Sequence, residues 1–210
     1  MPHVLAEKIA QRVINGEYAA GDSLREIPLA GEFGVGRSTV REALRILERD
    51  GVVVVEPRRG ASVTRLSTDE LIEIYQIRGV LLGLAMAMFC TRYGAADLKW
   101  LEARLREMEG QAARDGNDDG ARHADWSADM TRYIVERSGN ERLYQLLMQM
   151  SLQIARYTRV GLSAPERRAG SLDTWREVVA AIARRDSAAA EAMGRKLVAD
   201  TLRFALARLA

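Results

Sequence analysis

The chain has 210 residues, 48% of them hydrophobic and 29% charged, with a formal net charge of +2. That length allows one or two domains and a sizeable core, and the composition is that of a globular protein. Residues 1–66 hold 10 Lys/Arg against 9 Asp/Glu and the remainder 21 against 20, so bulk charge excludes a frankly basic nucleic-acid-binding domain and leaves only the arrangement of arginines to argue for one.

Cys90 is the only cysteine, so no disulfide framework and no cysteine-based zinc site forms within one chain. The start, MPHVLAEKIA, lacks a long apolar core and runs straight into helical periodicity, unlike a signal peptide. The longest apolar run, Val80–Cys90, is shorter than the 20 or so residues a bilayer requires. A soluble cytoplasmic protein with no membrane partner is expected.

In chain order, Val4–Asn15 places Leu5, Ile9 and Val13 on one helical face, with Gly16 as the stop. Ala20-Gly21-Asp22 is a turn, and Ser23–Glu26 leads into a short helix over Ile27–Phe33 with Pro28 in its first turn. The stretch Gly34–Asp50 reads as a tight turn and an amphipathic helix. Val40, Ala43, Leu44 and Leu47 share its buried face. Arg41, Arg45 and Arg49 recur every fourth residue, roughly 100–180° away from Val40, and Ser38 falls on their side. Guanidinium forks match phosphate oxygens and the O6/N7 edge of guanine.

Taken alone, this is equally an ordinary solvated helix, since Glu42 and Glu48 interrupt the basic face. The neighbours decide between the two. Two helices precede it, and two strands follow, Val52–Glu56 and Ala61–Leu66, around Pro57-Arg58-Arg59-Gly60. Helix, helix, recognition helix and hairpin make a winged helix-turn-helix, built to enter a major groove.

Leu66–Asp69 marks a boundary, and Ser67-x-x-Glu70 is a capping box for the next helix. From there helices are expected to about Thr91, over Ala95–Arg114, Ala121–Arg137 and Glu141–Val160, from Pro165 to about Arg185, and from Asp186 or Ser187 to the end. Asp115–Gly120 forms a polar loop between the second and third. The expected fold is mainly α: a winged helix-turn-helix over residues 1–66 and an antiparallel helical bundle of about six helices over 67–210.

AAGDSLRE followed by LAGEFGVGRSTVREALRILERDGVVVVEPRRGASV resembles the DNA-binding domain of the GntR family of bacterial transcription regulators, across nearly all of residues 4–66. The resemblance implies DNA contacts from Gly36, Arg37, Ser38, Thr39 and Arg41 at the turn and recognition helix, with Arg45 on the same face, and from Arg58, Arg59 and Gly60 at the wing. Ile27 stands where many members carry a DNA-touching arginine, so either one phosphate or base contact is missing or Arg25 substitutes for it.

The second half resembles the FCD domain of the FadR subfamily, in IYQIRGVL, in the Ser138-Gly139-Asn140 turn and in WREVVAAIARRDSAAAEAMGRKL. Many FCD domains hold a divalent metal with an Asp and three His. The aligned positions carry Ser127, Thr131, Trp175 and Lys196, so no metal and no cofactor is expected. His123, Asp125 and Asp129 are expected to lie off the inward register of Ser127 and Thr131. Arg78 matches an arginine that faces the cavity in many FCD domains. Leu82 stands where a glutamate is common, leaving Arg78 to a bundle carboxylate or to a ligand anion. Tyr75, Arg132, Arg156 and Tyr157 are candidates to join Arg78 in an effector pocket.

The leading functional reading is a repressor that binds a palindromic double-stranded DNA operator as a homodimer and responds to a small organic acid or acyl effector. The alternative is a dimeric DNA-binding protein whose bundle is structural and takes no effector. An enzyme is disfavoured: two peripheral histidines, no Cys–His pair and no glycine-rich phosphate loop supply no catalytic set.

Overall fold

The computed structural model describes residues 1–112 and 120–209. The described residues form nine helices and a three-stranded sheet, divided between two compact units.

The first unit spans residues 1–67. Helix α1 (Pro2–Ile14) precedes a two-residue strand β1 (Ser23–Leu24), then α2 (Glu26–Phe33), α3 (Arg37–Arg49), β2 (Val53–Glu56) and β3 (Gly60–Val63). The expected hairpin is there, with Val53 opposite Val63 and Glu56 opposite Gly60. Leu24 also pairs with Ala61, so β3 is the central strand of the order β1-β3-β2.

Apolar periodicity builds the core. Leu5, Ile9 and Val13 of α1 meet Val40, Ala43, Leu44 and Leu47 of α3, and Val53, Ala61 and Val63 close the far side. Gly34 caps α2 at φ 63°, a left-handed conformation that ends the helix and sets the turn into α3. Arg12 pairs with Glu32, tying α1 to α2.

The second unit holds α4 (Thr68–Arg92), α5 (Ala95–Ala112), α6 (Ala121–Arg137), α7 (Glu141–Leu162), α8 (Pro165–Ala183) and α9 (Ser187–Leu209), except that residues 149–156 in the middle of α7 group with the first unit. Asp115–Asp119 of the expected polar loop lie outside the described residues. Asn140 caps α7 by accepting from the Leu143 amide at 3.1 Å, and Asp186 caps α9 by accepting from the Ala189 amide at 3.0 Å. Arg185 donates to the carbonyls of Cys90 and Tyr93, satisfying the end of α4.

Helix α4 packs chiefly on α9, and α8 lies on α9 as well. The α4–α9 approach is close because glycines face each other. A Cβ on Gly194 would sit 3.2 Å from the Gly83 Cα, and one on Gly83 would sit 3.0 Å from the Glu191 carbonyl oxygen. Helix α4 as a whole is long and apolar enough to cross a membrane by length and composition, although its longest uninterrupted apolar run is not. Its Leu71, Leu82, Ala85, Met86 and Phe89 are buried within the unit, which makes it a core helix.

Candidate nucleic-acid interface and effector site

The face of α3 opposite its core residues carries the expected arginines. The side chains of Arg41, Arg45 and Arg49 are 55%, 68% and 70% exposed. Ser38 is also exposed, and Gly36, extended at φ −70°, is the N-cap of the helix. Thr39 is half-buried in the first turn. Free amides at this helix start and a nearby hydroxyl suit a phosphate oxygen.

Arg41 is not loose. Its Nε and Nη2 donate to Oε1 and Oε2 of Glu26 at 2.7 and 2.9 Å, a parallel fork on α2, while Arg37 Nη2 stands 3.6 Å from the same carboxylate. The bond to Arg41 holds the Glu26 carboxyl below its ordinary pKa. The family's arginine position, Ile27, is exposed beside Glu26, and Arg25 is exposed at the start of α2.

At the wing, Pro57, Arg58 and Arg59 link β2 to β3. Arg58 has φ 67° and Gly60 φ 83°, so two residues in this short turn adopt the left-handed region. Arg59 Nη1 reaches Glu56 Oε2 at 3.1 Å. Recognition helix and wing together frame a groove of about 770 Å³, lined by Arg25, Arg37, Arg41, Arg45, Arg58 and Arg59 against Glu26 and Glu48. Sequence spacing puts each of these arginines on its own element; their convergence on one concavity is a product of the fold.

In the second unit, Tyr75 is buried and shares a 2.9 Å hydrogen bond with Thr158. Burial pushes its pKa up to about 12, against the opposing hydrogen bond. Arg78 lies one turn further along α4, and desolvation holds its pKa below the usual guanidinium range. Leu82 is buried on the same helix, as is Tyr157 on α7. Two of the expected pocket residues depart from this set. Arg132 is exposed and pairs with Asp129 at 2.9 Å, because it lies on the solvent side of α6. Arg156 belongs to the segment of α7 that groups with the first unit.

The metal positions of the resemblance are filled by one another. The Trp175 indole N–H donates to Ser127 Oγ at 3.1 Å, Thr131 is buried one turn beyond Ser127, and Lys196 Nζ donates to Thr174 Oγ1 and Asp200 Oδ2. A fully buried indole takes the space that a coordination sphere needs, and none of the four side chains is an ordinary metal ligand. Among the described residues no group of three or more His, Cys, Asp or Glu gathers to hold a metal ion. These residues do not fit a divalent cation.

His123 corrects the sequence reading. It precedes Ser127 by four residues, so it shares the inward face of α6, and it is only 6% exposed. Burial first, and then the charges of Arg167 and Arg168, press its pKa down to about 4. Arg167 itself, 2% exposed on α8, is missed by sequence reasoning, because Glu166-Arg167-Arg168 reads as a solvated run.

Comparison with known proteins places these features in a family. Residues 3–63 match bacterial regulatory proteins of the gntR family, and residues 73–200 match the FCD domain. The chain is 37% identical over 112 residues to the HTH-type transcriptional regulator YdhC of Bacillus subtilis, covering 53% of this chain and 50% of that protein. It is 42% identical over 77 residues to the gluconate operon transcriptional repressor of Bacillus licheniformis, covering 37% of this chain and 31% of that one. The matched stretches thus span half or less of these relatives. Among solved structures, E. coli McbR/YncC superposes with a TM-score of 0.86 at 18% identity, covering 100% of this chain and 98% of that one. A GntR regulator from Rhodococcus sp. RHA1 gives 0.79 at 21%, covering 98% and 97%. The family model and these curated relatives are described as regulators of transcription. A winged helix-turn-helix with an arginine-lined groove, joined to a six-helix FCD domain, makes this chain a member of the GntR family of transcription regulators, of the FadR type.

Proposed function

We propose that this protein is an effector-responsive repressor. It binds a palindromic operator as a homodimer in the cytoplasm, and a small organic anion taken up by the second unit changes its affinity for DNA. The observation that carries the DNA-binding part is the groove between α3 and the wing, where six arginines face two glutamates. Arg37, Ser38, Thr39 and Arg41 are placed for base edges and phosphates at the start of α3. Arg58, Arg59 and Gly60 are placed for the backbone or minor groove, and Arg25 and Arg45 for flanking phosphates. Repression is supported by the likeness to the gluconate operon repressor.

The homodimer is supported by an apolar stripe on α4, where Ile77, Val80 and Leu84 are 56%, 49% and 43% exposed at helical spacing. A palindromic site is the natural target of a two-fold dimer. The effector reading rests on Arg78 beside Tyr75 in the second unit. The contact between Trp175 and Ser127 favours a second reading, in which the helical unit is a closed structural element.

Operator DNA selected from a random pool by the purified protein, followed by anisotropy titration with and without small organic acids, tests the proposal. A two-fold symmetric site whose occupancy changes with one acid is expected. A selected site without symmetry removes the dimeric operator, and an affinity indifferent to every acid that raises the melting temperature leaves the structural reading in place.

A further inference from the structure

Among the described residues, the buried Arg167, Ser171 and His123 of the second unit carry side-chain atoms with no hydrogen-bond partner. Arg167 lies in the first turn of α8 and is 2% exposed. Its Nη2 donates to the Leu197 carbonyl at 3.1 Å and to Thr201 Oγ1 at 2.9 Å, but its Nε and Nη1 are buried with no hydrogen-bond partner among the described residues. Ser171 follows four residues later on the same face of α8, 1% exposed, with its Oγ unpartnered. His123 of α6 presents an unpartnered Nε2 and lies near enough to feel the charge of Arg167. No carboxylate neutralises this guanidinium among the described ion pairs. The nearest acid it senses, Asp200, is held by Lys196 at 2.8 Å and by Arg203 at 3.1 Å.

A buried guanidinium with two idle donors is costly unless an anion completes it. The neighbouring idle groups narrow the choice. A serine hydroxyl and an imidazole N–H both donate to oxygen, and the planar guanidinium fork fits two oxygens on one atom. A cation is repelled, and a neutral ligand leaves the charge uncompensated. We propose that Arg167, Ser171 and His123 form an oxyanion subsite that takes the carboxylate or phosphate end of the effector. The subsite rests on the reading of the second unit as an effector domain, and its His123 and Ser171 lie one helical turn along α6 and α8 from Ser127 and Trp175, where the family's metal would lie. Arg167 is the binding residue, and Ser171 and His123 each add a donor.

The test uses the full chain labelled with 15N at arginine, titrated with inorganic phosphate and separately with acetate, with glycerol as the uncharged control. The Arg167 Nε signal is expected to shift and saturate with at least one anion and to ignore glycerol. Which anion saturates at the lower concentration separates a phosphate head from a carboxylate head. Arg167→Met is expected to weaken that binding about tenfold or more, and Ser171→Ala several-fold, with circular dichroism checking the fold. If Arg167→Met does not fold, Ser171→Ala carries the comparison. Unchanged binding in a folded variant, or an Arg167 signal that neither anion moves, overturns the subsite. Operator affinity measured in the same anion is a separate readout. Binding through Arg167 that leaves operator affinity untouched sinks the effector reading and keeps the subsite; regulation by an anion that survives loss of Arg167 does the reverse.

Discussion

Glu26 of α2 grips Arg41 of α3 through two parallel hydrogen bonds, 2.7 and 2.9 Å long. Arg41, which we propose reads DNA, is therefore presented at a fixed angle, with part of its donor set already spent. Glu26→Ala is expected to shrink the ratio of operator to random-DNA affinity. Random DNA gains from the lost negative charge, and the operator loses an oriented fork. Arg41→Ala and Arg37→Ala are expected to lose about 1–3 kcal/mol of operator binding each while melting normally. Anisotropy titrations against both DNAs check this, and unchanged operator affinity in both arginine variants removes α3 from the interface.

The wing separates charge from strain. Arg58→Ala combined with Arg59→Ala is expected to weaken binding to any DNA. The slope of log K against log salt should fall by about 1 for each phosphate that is no longer neutralised. Arg58→Gly removes the same charge but relieves the left-handed backbone at φ 67°, which costs a non-glycine residue roughly 1–2 kcal/mol. It is expected to melt above the Arg58→Ala variant while binding DNA equally poorly. Equal melting temperatures would show that the turn carries no strain.

His123 makes stability depend on pH. Its folded pKa of about 4 lies below its ordinary value of 6.5. Above pH 6.5 both the folded and unfolded forms are neutral and the group has no effect. As pH falls from 6.5 towards 4 the unfolded chain binds a proton that the folded chain refuses, so stability drops by about 3 kcal/mol over that window and then levels off. Carboxylates titrate nearby, so the measurement is the difference between wild type and His123→Gln in urea unfolding. Parallel curves across pH 4–7 refute a neutral buried imidazole.

The exposed stripe of α4 predicts the oligomeric state. Val80→Glu with Leu84→Glu is expected to yield a folded monomer by sedimentation, with weakened binding to a full palindrome and little change at a half-site. A dimer that survives both charges places the interface elsewhere.

Metal is expected to be absent. Protein purified without a metal-affinity tag should carry well under one equivalent of zinc, nickel or manganese per chain, and chelator should leave its melting temperature unchanged. One equivalent would show that Ser127, Thr131, Trp175 and Lys196 are not the positions the family uses.

Local periodicity makes the DNA-binding unit legible. Val40, Ala43, Leu44 and Leu47 point inward and Arg41, Arg45 and Arg49 outward because a single 3.6-residue repeat fixes both faces. Strand β1 leaves no such trace, since two residues make no pattern and its partner Ala61 lies far along the chain. In the bundle the helices are legible but their faces are not. Four of the six, α4, α5, α8 and α9, have apolar residues spread around much of their circumference. The acidic stretch before His123 argues for an outward place, although its spacing from Ser127 puts it inward. Arg167 is invisible for a different reason: only α9 closing over α8 buries it, and no window of α8 alone contains that information.

The meeting of Gly83 and Gly194 restricts how α4 and α9 can align. Sliding one helix by a turn would bring Gly79 or Ala87, and Ala190 or Val198, to the crossing. Ala87, Ala190 and Val198 would each set a Cβ into a gap that already lies near contact distance, and only Gly79 would not. The pair is a keyed joint that resists sliding. A shift imposed on one of these helices is therefore passed to the other.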